Sequence, residues 1–210
     1  MPRFLVILDV DSTLVEDEVI ELLAAEAGSL PQVAAITERA MNGELDFAES
    51  LRERVATLAG LPVSVFDRVR AAVRVTAGVP EMVAAVHTAG GRVGVVSGGF
   101  AEIVSPLAEE LGLDYWRANR LEAKDGVLTG ATAGPVIDAH AKAVALAEWA
   151  ADFTPDAIIA VGDGANDLAM MAQADLSVGF DAKAPVRAAA DIALPGRDLS
   201  QLLPLLGLRA

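Results

Sequence analysis

Three short apolar runs, each ending abruptly in small or acidic residues, set the narrowest limits on how this chain can fold. Phe4 to Leu8 breaks into Asp9-Val10-Asp11-Ser12-Thr13, Arg92 to Val96 into Ser97-Gly98-Gly99, and Ala157 to Val161 into Gly162-Asp163-Gly164. Runs of four or five largely apolar residues bounded by turn formers read as buried strands, too short for free-standing helices. Helical patterns follow each of them, and this alternation of strand and helix predicts a parallel, doubly wound α/β sheet. In such a sheet ligands collect outside the carboxyl ends of the strands, where all three breaks fall.

The first run is followed by some sixty residues with no strand-like alternation. Glu16, Asp17 and Glu18 suit a helix start, Val19, Leu22, Leu23 and Ala27 form an apolar face, and Gly28 is a stop. A second helix opens at Pro31 and breaks at Asn42-Gly43. A third starts at Asp46 and carries Phe47, Leu51, Val55 and Leu58, and a fourth follows Ser64 as N-cap. The expected organisation is a Rossmann-like core from residues 1–14 and 73–210, with a helical cap at 15–72 inserted after the first strand. In the core, a helix runs from Pro80 to Gly90-Gly91 and another from about Phe100 to Leu111. Leu113 to Trp116 reads as a short strand, and Leu121 to Thr129 as a hairpin turning at Asp125-Gly126. A helix from about Asp138 to Ala151, one from Gly162-Asp163-Gly164 through Met171, and strands at Leu176–Val178 and Ile192–Leu194 complete the pattern.

Charge and composition narrow the chemistry. The net charge is −14 and no basic cluster exists, which argues against nucleic acid and anionic membranes as partners. There is no cysteine, so thiol catalysis, disulfides and Cys-ligated zinc are excluded. Met1-Pro2-Arg3 leads into an apolar run too short for a signal peptide, and no span reaches transmembrane length. The expectation is a soluble, cytoplasmic protein, monomeric or homodimeric. The first expected element is the strand Phe4 to Leu8, and no N-terminal regulatory domain is expected.

Asp9 and Asp11 stand one residue apart at a strand end and converge only if the chain turns there. They then suit two jobs, attack or metal holding by one and proton transfer by the other. Taken alone, the five residues fit a strand exit with an Asp cap equally well. Ser97-Gly98-Gly99 offers a hydroxyl and free amides to an anion, although by itself it reads more readily as a tight βα turn. Asp163 and Asp167 would repel each other on one helix face unless a cation sits nearby, and oxygen ligands favour Mg²⁺ beside phosphate. Lys142, in the first turn of a helix, is a cation at the unfavourable end of the dipole, which argues for a role at the site. His87 and His140 have no ligand partner at useful spacing and read as surface or boundary residues. Jointly these groups supply what phosphoryl transfer needs, which is positioning and charge stabilisation.

The four segments Asp9–Thr13, Val96–Gly99, Lys142 and Gly162–Asp167 resemble the four motifs of the haloacid dehalogenase superfamily. Within the cap, Ile36-Thr37, Ala40–Phe47 and Ser50–Val55 are similar to the phosphoserine phosphatases, as are Ala118–Leu121 and Lys124-Asp125-Gly126. The resemblance implies a Rossmann-like core, a helical cap and a small β flap. It implies Mg²⁺-dependent hydrolysis of O-phosphoserine, the last step of serine biosynthesis, through an aspartyl-phosphate. Asp9 would be the nucleophile and Asp11 the acid and base. Asp9, Asp163 and the Asp11 backbone carbonyl would hold Mg²⁺, with Asp167 in support. Ser97, Gly98 and Lys142 would hold the phosphoryl oxygens, and Asn166 would line the site. Glu18 would meet the serine ammonium and Arg54 its carboxylate, under Met41 and Phe47. Two departures concern loops: Val75-Thr76-Ala77 lacks the family's usual Pro, and Ala182-Lys183-Ala184-Pro185 replaces Ala-Lys-Pro. The alternatives are another small phosphomonoester, transfer to a second alcohol, or a non-catalytic module that stores phosphate on Asp.

Overall fold

The computed structural model describes residues 2–209. Its centre is a seven-stranded sheet in the order β4-β3-β2-β1-β5-β6-β7. The strands are β1 Phe4–Leu8, β2 Arg92–Phe100, β3 Tyr115–Lys124, β4 Val127–Ala133, β5 Ala157–Gly162, β6 Leu176–Phe180 and β7 Ile192–Leu194. All neighbouring pairs are parallel except β3 with β4. β1 lies between β2 and β5 with all five residues buried, which is why it reads as an unbroken apolar run.

The helices between the strands are α5 Val79–Thr88, α6 Ala101–Leu111, α7 Ala139–Phe153, α8 Leu168–Met171 and α9 Ala184–Ala189, and α10 Leu202–Leu205 follows β7. They cover both faces. One face packs Phe4, Val6 and Leu8 with Met82, Val86 and Leu202. The other packs Leu5 and Ile7 with Leu146, Trp149 and Met170. Consecutive residues of β1 therefore serve opposite layers.

The helical block that follows β1 comprises α1 Val19–Ala27, α2 Leu30–Met41, α3 Phe47–Ala56 and α4 Val65–Ala72. Gly28 ends α1 in the left-handed conformation at φ 68°, and Asp46 opens α3 with a reciprocal capping box to Glu49. Ser64 occupies the N-cap position of α4 but makes no capping bond, because its backbone is already helical there. The two links between block and sheet pair with each other. Val15 bridges Val75, Thr76 N donates to Leu14 O, and Arg74 clasps Asp17 through both backbone and side chain.

The structure corrects several expected boundaries. β2 does not end at Val96; it runs through the glycines to Phe100 with a bulge, since the pairing of Ser97 and Phe100 to β3 shifts register. The expected short strand at 113–116 and the hairpin at 121–129 are parts of one hairpin. β3 pairs β2 along its first half and β4 along its second, and it turns at Asp125 and Gly126, both at positive φ. The helix expected to open at Gly162 starts with a 3₁₀ turn at Ala165–Asp167, so Asp163 precedes it. Helices α9 and α10 were not expected. Six and four residues long, they lie below the length at which periodicity is legible.

The flap and the helical block share a core. Leu121 and Leu128 pack with Val19, Leu23, Leu51, Val55, Leu58, Phe100 and Ile103. Backbone bonds run from Gly60 to Leu128, Leu128 to Leu61 and Val63 to Gly126.

Candidate active site

β1 delivers Asp9 buried at its carboxyl end, and a wide turn over Val10–Leu14 brings Asp11 back to the same side. Its hydrogen bonds skip five residues, from Leu14 N to Asp9 O and from Val15 N to Val10 O. Ser12 sits in the left-handed region at φ 57°. Strain of this kind persists where surroundings over-determine it. Here Ser12 N donates to Asp17 O and Ser12 Oγ to Glu18 Oε1 at 2.8 Å, while Asp11 Oδ1 accepts from Val19 N at 2.9 Å. The turn is thus tied to the first residues of α1, as convergence of the two acids requires.

The β5 exit contributes Asp163, Asn166 and Asp167. The 3₁₀ turn folds Asp167 back so that its Oδ2 accepts from Gly164 N. A shared helix face, the sequence expectation for Asp163 and Asp167, is not what joins them; the turn does. Lys142 in α7 is fully buried, with Nζ 2.7 Å from both Asp9 Oδ1 and Asp167 Oδ1. Burial opposes its charge, but the two carboxylates outweigh burial and hold its pKa well above the ordinary lysine value. The cation at the unfavourable end of α7 is therefore paid for by two acids.

Oxygen atoms of Asp9, Asp163 and Asp167 lie within 4.8 Å of one another. Asp9 Oδ1 is taken by Val10 N and Lys142, and Asp163 Oδ2 by Lys183 at 3.1 Å. The second oxygen of each makes no hydrogen bond among the described residues. Two free carboxylate oxygens in a buried all-oxygen group fit a hard divalent cation. Burial raises Asp9, helped by the charge of Asp167, and burial likewise raises Asp163. For Asp11, burial and the nearby Glu18 charge push the pKa up to about 7.

A cavity of about 550 Å³ opens above these groups. Its walls include Asp9, Asp11, Gly98, Asp163 and Asn166 from the strand ends, and Glu18, Met41, Phe47 and Arg54 from α1–α3. Met41 is 77% exposed and stands at the rim, while Phe47 closes on Gly98 so tightly that a Cβ there would meet its ring at 2.9 Å. Ser97 is buried beside this wall, and its Oγ accepts from Gly99 N. Lys142 and Asp167 lie behind the cavity rather than in its lining. Arg54 donates Nε to Ser50 O and forms no ion pair among the described residues. Glu53, its neighbour in sequence, lies on another face of α3 and pairs with Arg39. Burial lowers the Arg54 pKa, and Glu18 and Asp11 oppose that shift from within the site. Burial raises Glu18, and the Ser12 hydroxyl moderates the rise.

His140 is exposed and His87 pairs with Asp114, both away from the cavity. Sequence reasoning missed Lys183 as a site residue. Its signals are its place in Ala182-Lys183-Ala184-Pro185, which reads in the sequence only as a loop departure, and its position just beyond the carboxyl end of β6. Ser12 was also missed as a partner of Glu18, since nothing in the sequence shows that residues six apart across a turn will meet.

Comparison with known proteins agrees with this geometry. The model of the haloacid dehalogenase-like hydrolases matches residues 6–172. The phosphoserine phosphatase of Streptococcus thermophilus is 48% identical, over 96% of this chain and 95% of that protein. The phosphoserine phosphatase of Mycobacterium tuberculosis is 51% identical over 97% of this chain, which spans 50% of its length. A substrate-bound phosphoserine phosphatase complex superposes with a TM-score of 0.91 at 40% identity, covering 98% of this chain and 99% of that one. A phospho-aspartyl intermediate analogue of phosphoserine phosphatase gives the same score, identity and coverage. The chain belongs to the haloacid dehalogenase-like hydrolases and, among them, to the phosphoserine phosphatase family.

Proposed function

We propose that this chain hydrolyses O-phosphoserine to serine and phosphate through a phosphorylated Asp9, as the last step of serine biosynthesis in the cytoplasm. The observation that carries the substrate is Arg54, a half-buried guanidinium facing the cavity with no ion-pair partner among the described residues. Glu18 stands in the same cavity with the opposite sign. A zwitterionic head answers both, whereas a neutral alcohol or a sugar leaves two charges uncompensated.

Asp9 has one oxygen held by Lys142 and Val10 N and the other free to attack phosphorus in line. The bond from phosphorus to the seryl oxygen breaks as the bond to Asp9 forms. Asp11, with a pKa of about 7, delivers the proton to the leaving oxygen. It then takes a proton from the water that attacks phosphorus, the bond from phosphorus to Asp9 breaks, and phosphate leaves with the Asp9 carboxylate restored. A group that serves both steps works best when its pKa lies close to the working pH. Gly98 lies at the phosphate end with its amide, and Ser97, Lys142 and Asn166 flank that end. Asp163 through its free oxygen, the Asp11 carbonyl and the Asp9 oxygen that does not attack would hold Mg²⁺, and Asp167 would support them through Lys142 and Gly164. When bound, that cation would offset phosphoryl charge that the acids otherwise repel. Residues 15–72 act as the cap, and Met41 and Phe47 close it over the serine.

The test is phosphate release from phosphoserine and from an aryl phosphate, in parallel. Arg54→Ala, Arg54→Lys and Glu18→Gln should each lose about 2–4 kcal/mol in kcat/KM for phosphoserine and little for the aryl ester, because Lys cannot copy a two-pronged guanidinium. Arg52→Ala, on the exposed face of α3, should be silent. Normal phosphoserine turnover by Arg54→Ala overturns the assignment of substrate.

A further inference from the structure

The site gathers five carboxylates, Asp9, Asp11, Glu18, Asp163 and Asp167, around two lysines. Lys142 and Lys183 are two of only three lysines in the sequence. The two are built differently. Lys142 is sealed between two acids, with no exposed side-chain surface. Lys183 is fixed only through its backbone. Its N–H donates to Asp163 O at 3.0 Å, its carbonyl accepts from Val186 N at the start of α9, and Arg187 Nη1 donates to the neighbouring Ala182 O. Its side chain is 62% exposed and reaches over the cavity wall to a single acceptor, Asp163 Oδ2.

We infer that Lys183 is a built-in counter-ion that competes with the divalent cation for Asp163 and so sets the affinity of the metal site. The inference rests on the metal part of the reading above and not on the identity of the substrate. A cation held by Asp9 and Asp163 would share Asp163 with the Lys183 ammonium, one oxygen apart. A single and a double positive charge at that separation repel, and solvent at an exposed lysine screens the repulsion only partly. The long side chain, anchored at its backbone and otherwise facing solvent, can swing away at small cost. Lys142 cannot, because its departure would strand two buried acids. The lysine thus stabilises the acid cluster when no cation is bound and weakens the cation's hold when one is. Such a residue lets the site keep its shape while exchanging metal.

The experiment is calorimetric titration of the full chain with Mg²⁺, without substrate, for wild type, Lys183→Met and Lys183→Arg. Met keeps the aliphatic stem and the backbone bonds, so the fold is retained, and Arg keeps the charge. Lys183→Met should bind Mg²⁺ about tenfold more tightly at low salt, with the gap closing as ionic strength rises. Lys183→Arg should stay near wild type. In chelator the Met variant should melt below wild type, and saturating Mg²⁺ should erase or invert that order. Unchanged or weaker Mg²⁺ binding by Lys183→Met overturns the inference, since the lysine would then be orienting Asp163 rather than competing for it. A wild-type chain that takes up no Mg²⁺ overturns both this inference and the metal reading.

Discussion

Lys142→Met isolates the interaction on which the site's architecture depends most. The ammonium lies 2.7 Å from Asp9 Oδ1 and 2.7 Å from Asp167 Oδ1, with the lysine and Asp167 wholly buried and Asp9 nearly so. Methionine fills a similar volume, so packing changes little and the lost charge dominates. Removing one partner of a buried ion pair costs about 3–5 kcal/mol, because the remaining charge is left uncompensated. Lys142 serves two acids, which places the expected loss toward the upper end of that range, a large part of the ~5–15 kcal/mol that holds a domain of this kind folded. The sign of the pH dependence follows from Asp9. Burial and Asp167 already raise its folded pKa, and Lys142 is the group that holds it down. Without the lysine the folded pKa climbs further above its unfolded value. A carboxyl raised in this way contributes stability at pH below its unfolded pKa, and loses it as pH rises through the folded pKa. The defect should therefore grow from pH 5.5 to pH 8.5, the lower limit being chosen to stay clear of the sequence pI near 4.4. Urea denaturation in chelator at four pH values measures this, and adding Asp167→Asn to Lys142→Met should recover part of the loss by deleting one stranded charge. A Lys142→Met chain within about 1 kcal/mol of wild type at pH 8.5, with a flat pH profile, would refute the reasoning, for the pair would then contribute no net stabilisation.

Asp11→Asn should lower phosphoserine turnover by roughly 10²-fold or more, and far less for an aryl phosphate whose leaving group needs no proton; equal losses without accumulated phospho-enzyme would remove Asp11 from the leaving-group step. Gly130→Ala should destabilise the chain by about 2–4 kcal/mol, since φ is +84° and the new Cβ would meet Ala59 at 2.9 Å and the Ala56 backbone at 3.3 Å, where the flap packs on α3. Gly126→Ala, at a similar φ of +81° but in open space, should cost only about 1 kcal/mol, and equal losses in urea melts would show that the flap is not held against the cap.

The sheet was legible where burial is two-sided and the run is short. Phe4–Leu8 reads as a strand because both its faces are covered and no polar residue interrupts it. β3 was not legible as one element. Its first half lies parallel in the sheet and its second half forms the flap, so Arg117, Asn119 and Arg120 interrupt a run that has two different environments. Asn119 in particular looks like a breaker, yet it is buried because its side chain donates to Gly98 O and accepts from Ile137 N. A polar residue satisfied by distant backbone cannot be told from a loop residue in the sequence alone.

The site divides along the same line. Its acids stood out because a strand end, a turn and a carboxylate are all local features, and Asp9, Asp11, Asp163 and Asp167 carry them in their own neighbourhoods. What escaped were the pairings. Lys183 meets Asp163 across twenty residues, and Glu53 pairs with Arg39 on another helix, leaving Arg54 to the cavity side. The second case shows why the distinction matters for function. Residues one apart on a helix do not face each other, so Glu53 turns to Arg39 while Arg54 faces a cavity that holds Glu18 and the strand-end acids. The Arg39–Glu53 pair therefore ties α2 to α3 without acting on Arg54. Replacing Arg39 with Ala should leave the KM for phosphoserine near wild type, and a rise in KM with kcat preserved would show that the freed Glu53 reaches Arg54 after all.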